Sequence, residues 1–294
     1  MKLRHTLCLL AICISSISLA QDADPIFVWP DLAPGETDRA TGTLLPTRPT
    51  DNPPIDRVEN IRRPPMTVYP ATKNANGAAV LILPGGGFGR VVPNLEGSEA
   101  AQWLAELGVT SFVLNYRTRR SDLPNEPAWK RPLQDGQRAI RWIRANASKW
   151  NLKTEHIGLL AFSAGGQVGS MLITADTAAY DAMDTIDEQS FQPNFAMLVY
   201  PWRIYDKKAE GLLSRITVSK KTPPTFIVHT DDDASTSLAA AMLYAALKKN
   251  GVSSESHIYA NGRHGYGTRD RPNSNIGSWT DRGTDWLARK LPHE

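Results

Sequence analysis

Apolar and polar positions follow two different patterns along this chain. From residue 76 onward, short unbroken apolar runs alternate with longer segments of helical spacing. The segments at 78–83, 110–115, 157–162, 195–200, 225–229 and 255–259 are strand candidates, and the apolar run at 78–83 reads as a buried strand. Helices are predicted at 95–107, 132–150, 164–175, 236–250 and 280–290. Such alternation predicts an α/β fold, with a mostly parallel sheet covered by helices on both faces. No internal repeat interrupts it.

The first 75 residues read differently. Lys2 and Arg4 precede an apolar run over 7–14, and Ser18-Leu19-Ala20 ends it. This is the pattern of a secretory signal peptide over 1–20, cleaved after Ala20, which implies a secreted or periplasmic protein. The run is too short for a spanning helix, so an uncleaved anchor is the weaker alternative. Residues 21–72 hold ten of the chain's 21 prolines, including Pro53-Pro54 and Pro64-Pro65. No long helix survives that density. The stretch over 21–75 is expected as an extended arm, and the Phe27-Val28-Trp29 cluster favours one that packs over a disordered linker. Residues 76–294 are then expected to form the main domain, the one that would carry any catalytic site.

Composition narrows the function. The 294 residues, 41% of them hydrophobic, suffice for one large α/β domain. Both cysteines, Cys8 and Cys13, lie in the signal, leaving no thiol for a disulfide, a nucleophile or a metal site. The formal charge of +3 includes Lys2 and Arg4. Without them it is close to neutral, and no extended basic cluster is present, so neither nucleic acid nor a membrane surface is an expected partner. The six histidines make no metal-spaced pair and no H-E-x-x-H occurs, so no metal or other cofactor is expected. Asp231-Asp232-Asp233 lacks the further ligands and glycine of a calcium loop.

Three segments carry candidate chemistry. The run Ile157-Gly158-Leu159-Leu160 leads into Ala161-Phe162-Ser163-Ala164-Gly165-Gly166, a serine flanked by small residues before a helical segment. It reads either as an ordinary small-residue turn or as a nucleophile elbow, which needs small neighbours because the strained turn brings strand and helix close. Pro84-Gly85-Gly86-Gly87-Phe88 follows the first strand. It is a flexible turn or a loop whose amides at Gly86 and Gly87, with that of Ala164, bind an oxyanion. A phosphate loop fits poorly, since no Gly-Lys-Ser/Thr follows. Finally, Asp231-Asp232-Asp233 follows one strand, and Gly262-Arg263-His264-Gly265-Tyr266-Gly267 follows the next. The chain order Ser163, Asp233, His264 is that of α/β-hydrolases, not of chymotrypsin or subtilisin types.

From about Phe27 to its end, the chain resembles secreted bacterial acetylxylan-esterase-like proteins of the alpha/beta-hydrolase superfamily. These carbohydrate esterases are often labelled xylanase, and are related to the hormone-sensitive-lipase and prolyl-oligopeptidase branches. The resemblance is carried by Val28-Trp29-Pro30-Asp31-Leu32-Ala33-Pro34-Gly35, the Pro84–Phe88 loop, Leu95-Glu96-Gly97, Val113-Leu114-Asn115-Tyr116-Arg117, Asp135-Gly136-Gln137-Arg138, Phe162-Ser163-Ala164-Gly165-Gly166 and Gly262–Gly267. Pro84 stands where the family often has histidine, Ala161 replaces the first elbow glycine, and Gln167 replaces a histidine. The resemblance implies a serine hydrolase with nucleophile Ser163, base His264 and acid Asp233. It favours Asp233 over Asp232 because the family's acid lies four residues after the position held here by His229. It implies short acyl substrates, chiefly acetyl groups on plant polysaccharide such as xylan. Feruloyl esterase, another carboxylesterase, a peptidase and a silent binding protein on the same fold are the alternatives. A peptidase of the prolyl-oligopeptidase type would carry a propeller, which a proline-rich arm cannot be.

His229 reads as a structural histidine on a buried strand, and His156 and His257 as surface groups. Most of the eight tryptophans belong in the core. Trp29, Trp129 and Trp202 lie in loop-like contexts and are the candidates for a cleft wall. The oligomeric state is not legible.

Overall fold

The computed structural model describes residues 24–291. The signal-peptide reading over 1–20 falls outside them. Eight strands form the central sheet. They are β1 (Ile26–Phe27), β4 (Pro65–Tyr69), β5 (Ala79–Leu83), β6 (Thr110–Leu114), β7 (Ile157–Phe162), β8 (Phe195–Val199), β11 (Thr225–Thr230) and β12 (Ser254–Tyr259). Their order is β1-β4-β6-β5-β7-β8-β11-β12. The six strands from β6 to β12 run parallel, and β4 and β1 pair antiparallel at one edge. Small hairpins of β2 (Thr41–Leu44) with β3 (Val58–Ile61), and of β9 (Tyr205–Asp206) with β10 (Gly211–Leu212), lie outside this sheet. The helices are α1 (Glu99–Glu106), α2 (Lys130–Ala145), α3 (Ser163–Thr174), α4 (Leu238–Lys249) and α5 (Trp279–Ala288).

The apolar runs are continuous because successive side chains serve two cores. Leu81, Leu83, Leu159, Ala161, Leu198 and Ile227 pack with residues of α2, α3 and α4. Their neighbours Val80, Ile82, Leu160, Phe162, Val199 and Val228 pack with α1 and α5 on the other face. Helices on both faces, three on one and two on the other, leave the carboxyl ends of the parallel strands open, where ligands bind in α/β sheets.

The proline-rich stretch is not only an arm. Pro65–Tyr69 and Ile26–Phe27 are strands of the main sheet. Proline is tolerated at the first residue of such a strand, where no ladder donor is lost. Between them, Trp29 is buried, and its indole N–H donates to Asp135 Oδ1 at 2.8 Å. It is a core residue, not a cleft wall. Asp135 also accepts from the Arg117 amide at 2.8 Å and from Arg117 Nε at 2.9 Å. The same guanidinium donates to Pro34 O at 2.7 Å and to Gln134 at 2.9 Å. Arg138 adds a bond to Val28 O at 2.8 Å. Both arginines are fully buried, so their carboxylate partners offset a desolvation cost of several kcal/mol per ion.

This network predicts a large stability loss from one substitution. Asp135→Ala leaves Arg117 without its main partner and should destabilise by about 3–5 kcal/mol. Trp29→Phe, which leaves one carboxylate lone pair unmet, should cost about 1–3 kcal/mol. Urea unfolding followed by circular dichroism measures both. Equal losses for the two would contradict the central place of the carboxylate.

Candidate active site

Ser163 sits where β7 ends and α3 begins, with φ at +51° in the left-handed region. That strain is tolerated because the surroundings leave no alternative. A Cβ on Gly165 would lie 2.2 Å from Leu83 O, and one on Gly166 would lie 2.8 Å from Pro201 Cα. The helix thus starts in backbone contact with two neighbouring strand ends. Ala161 is accommodated from the other side. Its methyl faces Gly169, where a Cβ would come within 2.8 Å of it. The room for this methyl comes from the glycine at position 169 on α3.

Ser163 Oγ lies 2.7 Å from His264 Nε2, and His264 Nδ1 lies 2.5 Å from Asp233 Oδ2. The Ser235 amide donates to Asp233 Oδ1 at 2.7 Å. Burial alone would raise the Asp233 carboxyl. The hydrogen bond from His264, the Ser235 amide and the nearby histidines outweigh it and hold the group below the usual carboxylate range. Asp232 does different work. It accepts the amides of Gly262 and Arg263, at 3.2 and 2.8 Å, and so anchors the loop that carries His264. His229 is buried beneath Asp233, with Nε2 3.9 Å from Asp233 Oδ2. Its Nδ1 accepts the Thr230 amide at 3.0 Å, and burial lowers its basicity. It is buried on a strand, as the sequence suggests, and its approach to Asp233 is a contact that the sequence does not show. His257 is about a quarter exposed and meets Glu255 at 2.8 Å.

The glycine loop closes over the serine. Gly85 packs against it so tightly that a Cβ would lie 2.5 Å from Ser163 Cβ. Gly86 has φ at +129°, and its Cβ position falls 2.2 Å from Arg90 O. Among the described residues, the amides of Gly86, Gly87 and Ala164 have no hydrogen-bond acceptor. Two further bonds fix the loop from behind. Tyr116 OH donates to Pro84 O at 2.7 Å, and the Gly85 amide donates to Glu96 Oε2 at 2.7 Å. The sequence does not single out Glu96 or its partner Tyr200 as site residues. A signal existed, since a single helix over 95–107 puts Glu96 on one face with Ala100 and Leu104, an acid at a core position.

Beside Ser163, His264 and Asp233 opens a cleft of about 1050 Å³, lined by Gln167, Trp202, Arg203, Tyr205, Asp233 and His264 among others. The Trp202 amide donates to Ser163 O at 2.9 Å, which ties this wall to the elbow. The Arg203 guanidinium lies over the Trp202 ring at 4.3 Å. Trp129, the third tryptophan expected at a wall, is not among the cleft-lining residues and stacks under Arg215. Among the described residues no group of three or more His, Cys, Asp or Glu is arranged to hold a metal ion, and no helix is long and apolar enough to cross a membrane.

Residues 66–200 match the BD-FAE family. The chain is 26% identical over 237 residues to an acetylxylan esterase of Xylanibacter ruminicola, covering 70% of this chain and 46% of that protein. It is 28% identical over 223 residues to endo-1,4-beta-xylanase B of Butyrivibrio fibrisolvens, covering 69% of this chain and 34% of that one. It therefore spans less than half the length of both. The crystal structure of an acetyl ester-xyloside bifunctional hydrolase from Caldicellulosiruptor lactoaceticus superposes with a TM-score of 0.70 at 28% identity, covering 90% of this chain and 96% of that one. Sheet order, elbow and this superposition show the alpha/beta-hydrolase fold, and the chain is similar to acetylxylan-esterase-like proteins that carry it.

Proposed function

We propose that this protein is a serine esterase that removes short acyl groups, chiefly acetyl, from carbohydrate esters such as acetylated xylan. The hydrogen-bonded chain from Ser163 Oγ through His264 to Asp233 is the observation that carries the reading. Ser163 attacks the ester carbonyl while His264 Nε2 takes its proton. The amides of Gly86, Gly87 and Ala164 hold the oxyanion, helped by the positive end of α3. His264 then protonates the leaving alcohol. Water, deprotonated by His264, attacks the acyl-serine and releases the acid. Asp233 orients the imidazole and stabilises its protonated form.

The substrate class follows from the cleft and from the relatives. A tryptophan wall with arginine, tyrosine and glutamine at hand suits a sugar ring, which stacks through its C–H face and hydrogen-bonds through its edge. The Xylanibacter protein is an acetylxylan esterase, and the Caldicellulosiruptor protein acts on acetyl esters. Export by a cleaved signal over 1–20 is consistent with a polymeric substrate outside the cell.

Two outcomes test the reading. With p-nitrophenyl acetate, Ser163→Ala and Asp233→Asn should each lower kcat by about 10⁴-fold or more. Asp232→Asn keeps a carbonyl acceptor for one of the two loop amides and should cost less than about tenfold. A larger loss at Asp232 would reassign the acid. Across p-nitrophenyl esters of increasing chain length, kcat/KM should be highest for acetate, and acetic acid should be released from acetylated xylan. A preference for eight carbons or more, or for feruloyl esters, would overturn the acetyl assignment.

A further inference from the structure

We propose that Glu96 and Tyr200 are positioning residues that lock the glycine loop to the histidine loop, so that the oxyanion amides and the base meet one carbonyl together. The inference rests on the esterase reading above. A buried carboxylate is costly unless its oxygens find donors. Glu96 is buried, and no arginine, lysine or histidine lies within ion-pair distance of it among the described residues. Each of its oxygens is instead met by one donor. Oε2 accepts the Gly85 amide at 2.7 Å, and Oε1 accepts the Tyr200 hydroxyl at 2.8 Å. The Tyr200 oxygen in turn accepts the Gly267 amide at 2.9 Å, three residues beyond His264. The Tyr200 ring also packs on the His264 ring, with centroids 4.8 Å apart.

The result is one hydrogen-bonded path, Gly85–Glu96–Tyr200–Gly267, running behind the serine. It joins two loops that come from opposite sides of β7 in the sheet. The Cβ position of Gly85 is 2.5 Å from both Glu96 Oε2 and Ser163 Cβ, so the loop is wedged between the carboxylate and the nucleophile. Burial raises the Glu96 carboxyl, and the hydrogen bonds from Tyr200 and Gly85 work against that rise. The other groups that face it are Tyr116 after β6, and His264 and Tyr266 on the loop after β12. An apolar side chain would fill this space at lower cost. It would not supply directed acceptors for both the Gly85 amide and the Tyr200 hydroxyl.

The test compares wild type, Glu96→Gln, Glu96→Leu, Tyr200→Phe and the Glu96→Gln/Tyr200→Phe pair. Folding is checked by circular dichroism and thermal unfolding. The readouts are kcat and KM for p-nitrophenyl acetate, and inhibition by a methyl trifluoromethyl ketone, which mimics the tetrahedral oxyanion. Tyr200→Phe and Glu96→Gln should lower kcat by about 10- to 100-fold with KM changed less than about threefold, the signature of contacts made only in the transition state. The inhibitor should weaken by the same factor as kcat/KM. Glu96→Gln, which keeps an acceptor, should lose less than Glu96→Leu. The pair should lose little more than its worse member, since both break one path. Folded variants with kcat and inhibition within about twofold of wild type would overturn the proposal. Tyr200→Phe removes a single hydroxyl and serves if Glu96→Leu does not fold. A wild type without turnover on any ester would instead overturn the esterase reading, and this inference with it.

Discussion

The candidate active site depends on the close approach of α3 to the ends of β5 and β8. With a Cβ excluded at Gly165 by the Leu83 carbonyl, and at Gly166 by Pro201, the chain after β7 has one way to turn into the helix. That turn forces Ser163 to a positive φ and lifts its hydroxyl above the sheet. Everything else in the site is placed relative to that hydroxyl. The glycine loop lies against it, the Trp202 amide bonds its carbonyl, and His264 reaches it from the far side. Ala161 shows that the constraint concerns volume and not a motif letter. The methyl is allowed because Gly169 leaves room for it.

The polar groups of the site divide into those at the cleft and those behind it. Asp233 is kept ionised by donors that outweigh its burial. Asp232, Glu96 and Tyr200 bind backbone amides and hold loops. A similar economy operates farther off, where Asp135, Arg117 and Arg138 tie the segment around Trp29 to α2 and the loop after β6. Acids and arginines in this protein are buried where loops must be fixed, and each brings its partners with it.

The parallel core was legible in the sequence because both of its faces are covered. Apolar runs located β5, β7 and β8, and more mixed segments located β6, β11 and the half-buried edge strand β12, to within a residue or so at each end. Strands β1 and β4 were not legible. They are edge strands in a proline-rich stretch, and their pairing is decided by the neighbour β6 and not by their own pattern. Trp29 was misplaced for a related reason, since only the fold brings Asp135 to its indole N–H. In the site, the serine, histidine and acid stood out by order and by strand-end position. Glu96 did not, because its partners Gly85, Tyr200 and Gly267 come from separate segments.

The central claim is that Ser163 is an activated nucleophile. A fluorophosphonate reacts with a serine only where a base removes its proton and donors receive the developing charge. Mass spectrometry of the treated protein measures this directly. One adduct per chain, on the peptide containing Ser163 and absent from Ser163→Ala, is the predicted result. A folded protein that takes no label, or takes it at another residue, would contradict the account.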